Sequence, residues 1–253
     1  LYKVPFIEFP IQDLSEEFDI YTQPAELIDI NQEIVEKANE IVSGETDLYS
    51  AVFKIAEWTQ ENIEYDLNTL TADAALKSSW VLENRYGVCD ELTSLFISLL
   101  RSVGIPARFI SGVVYSNVNY SFGNHGWAEV YFPDYGWVPY DVTFGHYGWI
   151  DPTHIKLLES LDSSEPAVKY TWRSRNIDVI PGELALKTKI VSTGQKINPV
   201  LEVKIESLEN QVGPGSYVPI KVTIKNPFDS SISDTLTITK APELSGENVK
   251  TVL

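Results

Sequence analysis

From residue 24 onward, the apolar positions Leu27, Ile30, Ile34, Ala38 and Ile41 recur at three- and four-residue steps, with Pro24 before them and Gly44 after. That spacing predicts a helix over 24–41 with a proline start and a glycine stop. Ahead of it, 1–23 reads as an irregular lead-in carrying Pro5 and Pro10. A second helix is expected from Asp47, with Leu48, Val52, Ile55 and Ala56 on one stripe, running into Trp58 and Ile63. A short helical turn covers 78–84. The third main helix opens at Cys89: Leu92, Leu95, Phe96, Leu99, Leu100 and Val103 form a broad apolar face, closed by Gly104 and Pro106.

After Pro106 the hydrophobic period changes from 3.6 to 2, with strands expected over 108–115, 127–132, 137–143, 168–173 and 183–191. Helices followed by an antiparallel run of strands make an α+β pattern. Composition breaks at 192–199. Beyond it, Leu201/Val203/Ile205, Val218/Ile220/Val222/Ile224 and Leu236/Ile238 alternate between turn-rich stretches, as in a β-sandwich. The reading is therefore two units, 1–192 with the helices and first strands and 199–253 as a partial immunoglobulin-like β-sandwich. The second is expected to be small or cut off, because such a sandwich needs about 100 residues.

The chain has 253 residues, 43% hydrophobic and 11% aromatic, a globular mixture able to bury a sizeable core. Acidic residues outnumber basic ones by 36 to 19, a net charge of −17, which repels phosphate backbones and anionic headgroups. Nucleic acid is therefore not an expected partner. No apolar run approaches the ~20 residues that span a bilayer, so direct membrane insertion is not expected either. The chain begins at Leu1 and contains no Met, which reads as a processed or excised fragment whose flanking segments, an anchor among them, lie outside it. A single cysteine rules out an intrachain disulfide and a cysteine-based zinc site. The sequon Asn119-Tyr120-Ser121 permits glycosylation in an exported protein.

That cysteine is also where chemistry is expected. Cys89 follows Gly87 and Val88 directly ahead of the apolar stripe, so its thiol stands on the first turn of a helix. There the dipole and free N–H groups favour a thiolate and can hold an oxyanion. Asp90 and Glu91 oppose the thiolate, and a buried, inert cysteine is the plainer alternative. His125 is placed at the start of a strand and Asp141 at the end of the next. Alone, each reads as a structural residue. Between them, Phe132-Pro133-Asp134-Tyr135-Gly136 reads as a hairpin turn. With a three-residue loop Phe132 faces Gly136, Trp127 faces Asp141, and His125 and Asp141 share one face of the sheet within side-chain reach. A two-residue loop would put them on opposite faces.

The stretches "YGVCDELTSLFISLLRSVGIPARFISG" and "HGWAEVYFPDYGWVPYDVT" resemble the core of the transglutaminase-like superfamily of papain-fold enzymes, over about 63–143. The resemblance implies a papain-like α+β core with Cys89 as nucleophile, His125 as general base and acid, and Asp141 as the residue orienting His125. It also implies a second oxyanion donor upstream of the cysteine, for which Trp80 and Tyr65 are the candidates; both read equally as core aromatics. Asp141-Val142-Thr143 departs from the Asp-Pro often found there, a change in a loop rather than in the triad. A prokaryotic or archaeal member acting on a protein or peptide substrate, without cofactor or metal, is what the resemblance suggests. Relatives with a following sandwich point to an extracellular or cell-surface location, with the cytoplasm left open.

Thiol-dependent acyl transfer follows, either hydrolysis, as in a peptidase or amidase, or lysine cross-linking. Hydrolysis is slightly favoured because no amine-site or calcium-loop motif is visible. The rival class is a catalytically silent, surface-exposed peptide-binding or scaffold module. A metallohydrolase built on His125, His146 and Asp141 fits poorly, since histidines at these spacings match no closed zinc pattern. His146 as a rival base lacks an orienting carboxylate except Asp151. With an imidazolium partner, the Cys89 thiol is expected well below its free value of about 8.5.

Overall fold

The computed structural model of the protein describes residues 2–68, 76–116, 120–165, 201–207, 215–237 and 249–253, with isolated positions between 171 and 213. Within the expected irregular lead-in a 3₁₀ helix spans Glu16–Thr22, and helix α1 (Gln32–Ile41) follows, starting where the side chain of Asn31 accepts the Ile34 N–H at 2.9 Å. It begins eight residues later than Pro24 suggested. A carboxamide cap satisfies a free helix donor, whereas proline supplies only a compatible φ. Helix α2 (Leu48–Asn62) is capped by Asp47, which accepts the Ser50 N–H at 2.9 Å. Strand β1 (Glu64–Tyr65), helix α3 (Ser78–Asn84), strand β2 (Tyr86–Gly87) and helix α4 (Cys89–Ser102) follow, β1 and β2 pairing in parallel. Helices α2, α3 and α4 stand where periodicity placed them.

The strands β3 (Ala107–Ser116), β4 (Ser121–Phe132), β5 (Gly136–Asp141), β6 (His146–Tyr147) and β7 (Ile155–Ser160) form one antiparallel sheet, ordered β6-β5-β4-β3-β7. Phe132 pairs with Gly136 and Ala128 with Tyr140, the register of a three-residue loop. Strand β4 begins six residues earlier than its alternation indicated, because it pairs with β3 as far as Ser116–Ser121. His125 is thus inside the strand, not at its mouth. Strand β7, at the sheet edge, has no clean alternation and was not expected. The strands expected over 168–173 and 183–191 fall outside the described residues apart from isolated positions.

Helix α4 lies against this sheet. Its Leu95, Phe96, Leu99 and Leu100 are fully buried, in one core with Phe109, Ala128, Val130, Phe132, Val138 and Tyr140. Each such side chain is worth about 1.5–3 kcal/mol over exposure, which anchors the helix that carries Cys89. At its last turn the buried Arg101 donates to the carbonyls of Ala107, Gln23 (2.9 Å) and Leu161 (2.7 Å). Burial lowers its pKa to about 10, so it stays charged at neutral pH and clamps three chain segments together.

Beyond residue 200, β8 (Glu202–Ser207) pairs with β9 (Ile220–Lys225), and β10 (Asp234–Thr237) with β11 (Val249–Val252), as two separate antiparallel pairs. The alternating stretches are therefore strands, as expected. The region is also seated on the helical unit: Ser231 N–H donates to Val4 O at 2.8 Å, Ser233 N–H to Tyr49 Oη at 3.2 Å, and Thr251 Oγ1 to Gly145 O at 3.2 Å. No helix of the described residues is long and apolar enough to cross a membrane.

Candidate active site

Local chemistry at the start of α4 fixes Cys89. A Cβ at Gly87 would stand 2.5 Å from Glu91 Cβ, so only glycine lets the chain turn so tightly into the helix. Glu91 reaches back and accepts the Val88 N–H at 3.1 Å, which commits its carboxylate to capping. Asp90 turns to the thiol instead, with Oδ1 3.6 Å from Cys89 Sγ. Gly126, the residue after His125, meets the same turn. Its carbonyl accepts from Thr93 Oγ1 at 3.2 Å, and a Cβ there would lie 2.6 Å from Asp90 Oδ1. The first turn of α4 is thereby fastened to β4 beside His125.

The electrostatics overturn one expectation. Burial first, and the Asp90 carboxylate second, push the Cys89 thiol up, while the Gly126 N–H pulls it down by less. At rest the sulfur is a thiol leaning on Asp90, not half of a thiolate–imidazolium pair; the sequence could not say which of two adjacent carboxylates would face it. Asp90 is itself raised by burial and then by Glu91. Replacing Asp90 by Asn is expected to lower the thiol pKa by about one unit. Alkylation by iodoacetamide at pH 7 should then quicken about three- to tenfold, since lower basicity offsets part of the gain in thiolate. A thiolate absorbance titration checks this, and an unmoved midpoint would show that Asp90 is not what holds the proton.

His125 and Asp141 meet as the hairpin register requires: Nε2 lies 2.7 Å from Oδ2, and both residues are buried. Asp141 Oδ1 accepts the N–H groups of Thr143 (2.8 Å) and Phe144 (3.2 Å), which ends β5 in a turn. Burial opposes ionisation, but bonds from His125 and a second histidine, His154, outweigh it and hold the carboxyl well below the usual carboxylate range. As Asp141 is an acceptor, it is the N–H of Nε2 that His125 presents to it, and Nδ1 is the ring nitrogen not engaged with the carboxylate. Phe144 stacks on the His125 ring at 5.0 Å.

His154 is the residue that sequence reading missed. Its Nε2 lies 3.0 Å from Asp141 Oδ2 and its Nδ1 3.0 Å from Asp151 Oδ1. Asp151 thus orients His154 and not His146, which stacks on Trp149 at 4.0 Å with its Nδ1 buried and unpartnered. The only local signal was Asp151-Pro152, a turn opener.

Of the two oxyanion candidates, Tyr65 is half-exposed and within electrostatic reach of Cys89 and Asp90. Burial, then the charges of Cys89 and Asp90, push its phenol up to about 12, so it remains a donor at neutral pH. Trp80 packs edge-to-face on Tyr86 at 5.1 Å and against the core. Two groups, His125/Asp141/His154 and His146/Asp151/His154, bring possible ligand atoms within 4.8 Å of one another. Within them His125, His154 and the two aspartates already satisfy one another through hydrogen bonds, so they need no ion to be stable.

The transglutaminase-like superfamily model matches residues 35–142, a span that holds Cys89, His125 and Asp141 and ends twelve residues short of His154. The uncharacterized protein YebA of Bacillus subtilis is 37% identical over 26% of this chain and 11% of its own length. The protein-glutamine gamma-glutamyltransferase of Pseudomonas aeruginosa is 26% identical over 36% of this chain and 15% of its own. A candidate cysteine protease from Cytophaga hutchinsonii, of known structure, shares the fold with a TM-score of 0.52 at 21% identity, over 64% of this chain and 52% of that one. The chain spans about half of that solved relative and under a fifth of these two curated ones. The segment 35–142, part of an α+β core of helices on an antiparallel sheet, thus carries a transglutaminase-like domain.

Proposed function

We propose that the protein catalyses thiol-dependent acyl transfer on protein or peptide amides through Cys89, His125 and Asp141. The observation that carries this reading is the buried 2.7 Å bond from His125 Nε2 to Asp141, on a strand whose next residue, Gly126, packs against Asp90 beside Cys89. In the proposed cycle, Nδ1 of His125 takes the thiol proton and the sulfur attacks the carbonyl carbon. The backbone N–H of Cys89 and the Tyr65 hydroxyl receive the oxyanion. The imidazolium protonates the leaving amine; water or a primary amine then resolves the thioester, giving hydrolysis or cross-linking. In this reading 1–192 is the catalytic unit and 199–253 an accessory immunoglobulin-like segment, in an extracellular or cell-surface protein.

An activated ester tests it. After p-nitrophenyl acetate treatment, mass spectrometry of the Cys89 fragment should find an acetyl group that hydroxylamine removes. Added primary amine should yield an amide if the thioester is open to amines, and free acid alone if water is the acceptor. No acetyl group on Cys89 would overturn the reading. The raised thiol favours one rival, a silent peptide-binding module, which the same null result would support.

A further inference from the structure

We propose that His154 is a positioning residue of this site: an imidazolium held between Asp141 and Asp151 that fixes the Asp141 carboxylate on His125. The inference rests on the triad reading above. The His154 side chain is fully buried, and its Nε2 bonds the same Asp141 oxygen, Oδ2, that bonds His125. Its Nδ1 faces Asp151 Oδ1, which also accepts the Thr153 N–H at 2.8 Å. Asp141 and Asp151 are both held below the ordinary carboxylate range, so each ring nitrogen of His154 meets an acceptor and both must donate. Burial alone would lower the His154 pKa; the two carboxylates together raise it.

Two effects on His125 follow. The second bond on Oδ2 stops the Asp141 carboxylate from turning, and with it the His125 ring. The imidazolium, whose ring centroid is 5.6 Å from that of His125, also disfavours a second positive charge there. The other groups facing His154 are His146, Trp127 and Phe144, at 5.8, 5.3 and 5.8 Å, of which only His146 titrates. The residue reaches this place because β7, which it precedes, pairs with β3 at the far side of the sheet.

Two conservative substitutions separate positioning from mere tethering. In His154→Gln the amide nitrogen stands where Nε2 stood and still donates to Asp141, whereas in His154→Asn it stands where Nδ1 stood and serves only Asp151. The p-nitrophenol burst from p-nitrophenyl acetate, followed from pH 5 to 9, reads the acylation of Cys89. His154→Gln should acylate at close to the wild-type rate above neutral pH, with its acid limb moved to higher pH because His125 has lost a cationic neighbour. His154→Asn should be slower by about 10²-fold, as for a misplaced catalytic group. The reverse order, or equal rates with no shift of the limb, would overturn the proposal while leaving the triad intact. A missing wild-type burst would overturn both. Should neither variant fold, the three histidines of the wild-type chain give few enough imidazole proton resonances to follow by NMR. One must stay protonated well above pH 6.5; three ordinary titrations would overturn the proposal as surely.

Discussion

Cys89→Ala is expected to abolish the acylation burst, a loss of at least about 10⁴-fold, with thermal unfolding nearly unchanged. No second thiol exists to take over, since Cys89 is the single cysteine of the chain. What remains in the variant is the oxyanion site and the base, which can bind a carbonyl but cannot form the thioester. The fold should survive because residue 89 opens α4, where alanine is a good helix former, and because its side chain is only partly enclosed. Losing one sulfur's contacts costs about 1 kcal/mol, a small part of the stability of such a domain. Loss of the burst together with a collapsed melting transition would show that Cys89 serves packing. Retention of the burst would remove it from the chemistry.

Asp141→Asn is expected to slow acylation by about 10³–10⁴-fold. The carboxylate accepts from His125, His154, Thr143 and Phe144, whereas an amide has one acceptor oxygen. If that oxygen stays with the two backbone donors, the NH₂ group faces His125 and turns the imidazole to the tautomer with Nδ1–H, which cannot take a proton from the thiol. It also confronts His154, so a stability loss of about 2–4 kcal/mol should accompany the kinetic one. The pH dependence has a definite sign. Because the folded carboxyl lies below its unfolded value of about 3.9, its contribution is fully present above that pH and disappears on acidification. Wild type and variant should therefore converge in stability towards pH 2, as read by urea unfolding. A constant difference down to that pH would mean that ionisation of Asp141 plays no part, and an unchanged burst rate at pH 7 would remove Asp141 from the orienting role.

Within one helix turn or one hairpin, neighbouring residues alone decide the structure, and there the sequence was sufficient. Gly87 and the stripe from Leu92 set the start of α4 at Cys89, because a glycine turn and a helix N-terminus are local events. The five residues from Phe132 to Gly136 set the β4–β5 register, and a period of two then put His125 and Asp141 on one face. Even locally, two similar signals could not be ranked: Pro24 and Asn31 both mark a helix start, and only the cap that forms a hydrogen bond won. Where distant segments meet, the tertiary structure decided. Asp90 and Glu91 are adjacent and chemically alike, yet Glu91 caps α4 while Asp90 faces the thiol, its Oδ1 packed where a Cβ at Gly126 on β4 would otherwise stand. His154 precedes an edge strand that lacks clean alternation, and it meets Asp141 only because sheet order, which no local pattern encodes, folds residues 142–154 back over the end of β5. The charge state of the thiol was misjudged for the same reason, since burial and facing charges are properties of the assembled site.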